Sequence, residues 1–181
     1  MSASQTLLNL LSPAVEILRS TDRFGTLEIE VAPARLYQGV SALRDHPDLQ
    51  MNMLIDIAGV DYSDMPGHTA GRFGLIYQFK SLTKKHRVTV KTNLPASHPA
   101  VPSIHDLYKN ANWLEREAWD QFGIVFENHP NLKRILNHHE FEGHPLRKDY
   151  PITRRQTLSV SDSLQDQMQQ RLASKGYANE S

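Results

Sequence analysis

Cysteine is absent from this chain of 181 residues. Disulfides need two thiols and iron-sulfur clusters are held mainly by thiolates, so neither a stapled secreted scaffold nor a conventional cluster is expected. Long hydrophobic runs are missing as well. The longest apolar stretches, Met53 to Val60 and Gly74 to Tyr77, are broken by Asp or Arg well short of the roughly 18 residues a spanning helix requires. Charge of one sign is not in excess, with 20 basic against 20 acidic residues, so the whole chain offers no reason to expect nucleic acid or an anionic membrane as partner. No basic stretch precedes Leu7 to Leu11 and no Arg-rich transit pattern follows, so neither a secretion nor an import signal is expected. GxGxxG, GxxxxGKS, GxSxG and HExxH do not occur, which removes the local chemistry of dinucleotide, phosphate-loop, hydrolase and zincin sites.

What is present suffices for a core, since a chain of this size buries about 70% of its unfolded surface. Leu7, Leu8, Leu11, Val15 and Leu18 recur at helical spacing, with Ser12-Pro13 beginning or kinking the helix. Thr26 to Val31 alternates as a half-buried strand, and a helix is predicted from Pro33 through Leu43, ended by Asp45-His-Pro47. Three further strands show period two. They place Met51, Met53, Ile55 and Ile57 on one face, then Phe73, Leu75, Tyr77 and Phe79, then Val88 and Val90. The last two form a hairpin around Leu82 to Lys85, Ser63 to Gly71 is a loop, and Pro95, Pro99 and Pro102 stiffen the connection into a helix beginning near Ile104. This order predicts an α+β fold, a largely antiparallel or mixed sheet covered by helices, with an extended C-terminal segment.

Residues 112 to 123 carry the densest chemistry. Asn112 is placed to cap a helix, with Glu115 three positions on completing a capping box and Gly123 at the left-handed position after the last turn. Leu114, Ala118 and Phe122 form its apolar stripe, and Arg116 faces Asp120 as an ion pair. Paired carboxylates invite an acid-base reading, but these have structural tasks, and Glu117 is expected to clamp a downstream arginine. His129, His138, His139 and His144 crowd together without zinc-site spacing, and two of them precede proline, so loop histidines are expected in place of a metal site.

After the helix, Lys133, Arg134, Arg147, Lys148, Arg154 and Arg155 outweigh Glu140, Glu142 and Asp149. Interleaved aromatics are too few for nucleic acid, and prolines at 130, 145 and 151 pre-set an extended backbone, which favours a protein partner with Arg147 and Lys148 as anchors. Val160, Leu164, Met168 and Leu172 recur every four residues as a narrow amphipathic stripe. The chain accordingly divides into an α+β domain over 1–128, including the signature helix, and an extended basic docking segment with a tail over 129–181.

The blocks Glu115-Arg-Glu117, Trp119-Asp120, Phe122-Gly-Ile124, His129-Pro130, Arg134-Ile135 and Gly143-His-Pro-Leu-Arg-Lys-Asp-Tyr-Pro151, with Leu54 to Tyr62 upstream, resemble the signature of the C subunit of proton-pumping NADH:quinone oxidoreductase, respiratory complex I. The resemblance implies a structural, non-catalytic component of the hydrophilic arm, peripheral on the cytoplasmic side of the bacterial inner membrane. It would hold the subunits around the terminal iron-sulfur cluster and the quinone site in register. NAD, FMN, iron-sulfur clusters and quinone would belong to the complex and none to this chain. Residues marked for the subunit interface are Glu115, Arg116, Glu117, Asp120, His129, Pro130, Arg134, Gly143, His144, Pro145, Arg147, Lys148, Asp149, Tyr150 and Pro151. The alternatives are the equivalent subunit of a membrane-bound hydrogenase, formate hydrogenlyase or ferredoxin-linked complex, and a stand-alone metal-dependent enzyme using the histidines.

Overall fold

A computed structural model describes residues 3–12, 15–156 and 159–175. Its centre is a five-stranded mixed sheet in the order β1-β2-β5-β4-β3. These strands are β1 (Arg19–Arg23), β2 (Thr26–Glu30), β3 (Met53–Asp61), β4 (Phe73–Lys80) and β5 (Arg87–Leu94). β2 and β5 pair in parallel and the other neighbours antiparallel. Parallel pairing demands a long crossover, and the chain between β2 and β5 supplies it with a helix and a hairpin. β1 has no signature in the sequence. Its five residues, Arg-Ser-Thr-Asp-Arg, are all exposed and have no apolar alternation. A two-residue turn at Phe24-Gly25, both at positive φ, folds it onto β2 as the outer edge.

Helices α1 (Ala3–Leu11), α2 (Leu36–Asp45) and α3 (Ala111–Phe122) supply apolar side chains to the same core as the sheet. Leu7 and Leu11 join Leu36, Val40, Leu43, Ala118 and Phe122 against Leu27, Ile29, Val88, Val90 and the row Phe73, Leu75, Tyr77 and Phe79. α1 stops at Leu11 and Ser12 returns its hydroxyl to the Leu8 carbonyl, so the helix neither begins nor kinks at Ser12. Pro13 lies outside the described residues. Leu18 leaves the expected stripe and is exposed, because its N–H already bonds Glu30 beside the edge hairpin. The run from Pro33 opens as a 3-10 turn to Arg35 and becomes α2 at Leu36.

The expected single face of Met51, Met53, Ile55 and Ile57 does not form. β3 shifts register between Leu54 and Asp56, a bulge that turns Met53 and Ile55 outward and buries Leu54 and Ile57. One extra residue inverts the alternation, which period-two counting cannot see. Further along β3, Gly59 leaves room for α3: a Cβ there would lie 2.5 Å from the Phe122 ring.

Residues 104 to 110 form turns in place of the helix predicted near Ile104, with Leu107 and Tyr108 N–H both on the Ile104 carbonyl. On either side of these turns and α3 stand β6 (Ala100–Pro102) and β7 (Val125–Glu127), paired in parallel as a second small sheet. α4 (Ser159–Ser174) carries Leu164, Met168 and Leu172 exposed. Val160 belongs to the same predicted stripe, but its side chain lies outside the described residues.

Candidate protein-docking site

From residue 128 to 156 the chain has no regular helix or strand, so its backbone polar groups need other partners. The end of α3 provides them through one carboxylate. Asp120 has no exposed side-chain surface. Its Oδ2 accepts the successive N–H groups of Ile135, Leu136 and Asn137 at 3.1, 2.9 and 2.9 Å. Its Oδ1 accepts Arg134 Nη1 at 2.6 Å and Asn137 Nδ2 at 3.1 Å. Burial alone would raise this carboxyl, yet the donors of Asn137, Arg134 and Leu136 prevail and hold it down to about 2. Arg134 also donates to the Gly143 carbonyl and lies against the Trp119 and Phe141 rings. His144 Nδ1 donates to the Asp120 carbonyl at 3.0 Å.

The predicted Arg116–Asp120 pair is therefore replaced. Arg116 caps the carbonyls of Lys133 and Arg134, and Asp120 takes Arg134 because that guanidinium arrives with three backbone donors behind it. The capping box does not form either. α3 starts two residues earlier, after Asn110 and not Asn112, and the Asn110 side chain bonds the Leu54 carbonyl and does not cap the helix. Glu115 points inward, wholly buried, and accepts Ser103 O–H at 2.5 Å and Ile104 N–H at 2.7 Å. Glu117 is exposed and has no ion pair among the described residues, so the clamp expected of it is performed by Asp120.

A second lock joins the Gly143 to Pro151 block to the sheet. Asp61, at the end of β3, accepts Arg72 Nε and Nη2 at 3.2 and 2.9 Å, Ser63 N–H at 3.0 Å and Lys148 N–H at 3.0 Å. Burial works against its charge, but Arg72 and the two backbone donors push it well below the usual carboxylate range. Arg72 reaches Asp149 as well, at 2.9 Å. Arg147 spreads over the Phe73 ring and donates to the Phe122 carbonyl at 2.5 Å. Gly123, at φ 73, leaves space there: an added Cβ would lie 2.6 Å from the His144 ring and would collide with Arg147 Nη2. Sequence reasoning missed Asp61 and Arg72. Both stand far upstream of the block they hold, and only the hairpin brings them to it.

The marked residues thus separate into two groups. Glu115, Asp120 and His129 have no exposed side-chain surface, and Arg134 little; Arg116, His144, Pro145, Arg147 and Tyr150 are half-buried. Glu117, Pro130, Gly143, Lys148, Asp149 and Pro151 face outward. Beside them stand large apolar side chains left open: Trp113 at 66%, Leu136 at 64%, Leu146 at 54% and Ile152 at 99% exposure. The histidines do not converge. His129 donates to the Asn112 carbonyl, His138 packs on His139, and among the described residues no group of three or more His, Asp or Glu is placed to hold a metal ion. No described helix is long and apolar enough to cross a membrane.

Residues 29–156 match the profile of a family described as respiratory-chain NADH dehydrogenase, 30 Kd subunit. The chain is 42% identical over 158 residues to the C subunit of the NADH-quinone oxidoreductase of Thiobacillus denitrificans, covering 84% of this chain and 76% of that protein. It is 38% identical over 156 residues to the C subunit of the Caulobacter vibrioides enzyme, covering 86% and 77%. Among solved structures, the trypsin-resistant fragment (1-134) of Nqo5 superposes with a TM-score of 0.61 at 31% identity, over 73% of this chain and 100% of the fragment. A chain of an archaeal respiratory membrane complex, the membrane-bound sulfane sulfur reductase, shares the fold at a TM-score of 0.59 and 23% identity, over 84% and 88%.

Proposed function

The chain belongs to the respiratory-chain NADH dehydrogenase 30 Kd subunit family, and from that premise we propose that its segment after α3 is the surface by which it joins its neighbours in the peripheral arm of NADH-quinone oxidoreductase. The chain is a structural C subunit. It is peripheral to the membrane, associates with other hydrophilic-arm subunits, and leaves NAD, FMN, the iron-sulfur clusters and quinone to them.

The observation that carries the docking role is how the polar chemistry of the segment is used. Buried carboxylates of α3 and β3 consume its backbone donors and arginines internally, which fixes an otherwise irregular path before any partner arrives. Pre-ordering lowers the conformational entropy lost on docking. Leu136, Leu146 and Ile152 then remain exposed on that fixed path, with Trp113 on α3, and large apolar side chains held open beside outward polar ones mark a partner surface. In this reading 1–128 is the body and 129–181 the docking segment and tail. Glu117, Lys148 and Asp149 are the polar contacts, and the neighbours are those around the terminal iron-sulfur cluster and the quinone site.

Replacing Leu136, Leu146 and Ile152 together with Ser tests it. The purified variant should keep the wild-type circular dichroism and unfolding midpoint, while the amount of complex recovered from membranes falls at least tenfold, the loss of about 1.4 kcal/mol or more of association energy. Normal recovery of the complex would remove this surface from the interface.

A further inference from the structure

Among the described residues three carboxyl side chains are wholly buried, and they are not alike. Asp61 has Arg72 and Asp120 has Arg134. Glu115 has no cation. The nearest ring nitrogen, His129 Nε2, stands 3.9 Å away, and its proton is directed to the Asn112 carbonyl at 3.0 Å while Nδ1 accepts Asn131 N–H. Both nitrogens of a neutral ring are thereby occupied, and burial depresses the proton affinity of that ring, so His129 supplies no counter-charge. A buried carboxylate without one is disfavoured relative to its neutral acid.

The other groups facing Glu115 point the same way. Asp106 in the 104–110 turn adds a negative charge nearby. Tyr77, from β4, is fully buried with its hydroxyl unpartnered, and Glu115 is the charge it feels. His105 lies one bond further out. Ser103 Oγ stands 2.5 Å from Glu115 Oε2 and 3.1 Å from His105 Nδ1, so a single hydroxyl joins the two. His105, half-buried, lines a surface cleft of ~450 Å³ with Tyr37, Asp106 and Asn128.

We propose that Glu115 is a proton-binding site inside the protein, loaded and emptied through Ser103 and His105 from the cleft. The chain has two arrangements. With Glu115 ionised, Ser103 O–H donates to it and His105 Nδ1–H donates to Ser103. A proton from cleft water adds to His105 Nε2, the Nδ1 proton passes to Ser103 Oγ, and the Ser103 proton passes to the carboxylate. Glu115 is then neutral and donates to Ser103, which donates to Nδ1 of the other His105 tautomer; one proton has entered and none is left over. Ionised, the carboxylate holds the 103–104 backbone to α3 by two charge-assisted hydrogen bonds; neutral, it holds the same turn more weakly but without a buried charge. The hold of α3 on the cleft wall thus follows the local proton concentration. Burial sets the working range, pushing Glu115 up to about 7 against Ser103 and Ile104, which favour the ion.

The full-length purified chain, with isotope-labelled glutamate, decides this by infrared difference spectroscopy. One labelled carboxylic C=O band should persist at about pH 6, vanish by about pH 8, and be missing in Glu115→Gln. In denaturant titrations the unfolding constant of the wild type should rise about a hundredfold more than that of Glu115→Gln between about pH 5 and pH 8, because the folded state alone retains the proton there. Ser103→Ala removes a donor to the ion, so its band should disappear at a higher pH. Should Glu115→Gln fail to fold, the wild-type band and its shift in Ser103→Ala still decide. A wild-type spectrum with every glutamate ionised at about pH 6 overturns the proton site, and an unmoved midpoint in Ser103→Ala overturns the relay.

Discussion

Replacing Asp120 with Asn tests whether one carboxylate organises the irregular segment. The amide keeps the shape and one acceptor, but its NH2 group must oppose either Arg134 or the three N–H groups of Ile135, Leu136 and Asn137 that now share Oδ2. Breaking a buried, hydrogen-bonded ion pair by removing one partner costs roughly 3 to 5 kcal/mol. An independent lower figure comes from titration. A carboxyl held at about 2 in the folded chain, against an ordinary value of 3.8, contributes about 2.4 kcal/mol. Because its folded value is depressed, that contribution is complete above about pH 4 and is lost as the pH falls toward 2. Urea unfolding at neutral pH, followed by tryptophan fluorescence, should show a midpoint lowered by roughly 1 to 2 M for a slope of about 2 to 3 kcal/mol/M. Trp119 lies under Arg134 and reports on this lock directly. If the segment detaches locally, proteolysis between residues 133 and 143 will accelerate without a matching change in the global midpoint. A loss below about 1 kcal/mol with unchanged proteolysis would refute the assignment.

Gly123→Ala should cost at least ~1 kcal/mol, since it combines a left-handed backbone with a collision against Arg147 and His144; an unchanged thermal midpoint would contradict it. Arg147→Ala should lower stability by about 1 to 3 kcal/mol through the lost Phe122 carbonyl bond and Phe73 contact, whereas Lys148→Ala, which leaves the backbone bond to Asp61 intact, should stay within about 0.5 in the same denaturation assay.

The contrast between Arg147 and Lys148 also shows how far the sequence reaches. Adjacency makes the two look equivalent as outward anchors. In the fold, Arg147 lies back over Phe73 and Lys148 faces solvent, because Lys148 N–H is fixed on Asp61 and the neighbouring side chains must diverge. The rows Phe73 to Phe79 and Val88 to Val90 are readable since hairpin pairing preserves their alternation, and Gly123 is readable since its role is local. Asp61 to Lys148 is not, being a contact between residues far apart in the chain whose meeting depends on α3 docking beside Gly59. Glu115 misleads for the opposite reason. A local motif offers it a cap, but Ser103 and Ile104, brought alongside by the pairing of β6 with β7, offer it better donors.

The outer strand β1 bears on life before assembly. A strand paired on one side only offers its free backbone groups to other copies of the chain until a complex is assembled. Here that strand carries Arg19, Asp22 and Arg23 on five solvated residues and turns back at Phe24-Gly25. A second molecule aligning with it would have to strip water from Arg19, Asp22 and Arg23. Among the described strands β1 alone adds no side chain to the core, and its exposed charges guard one edge of the sheet.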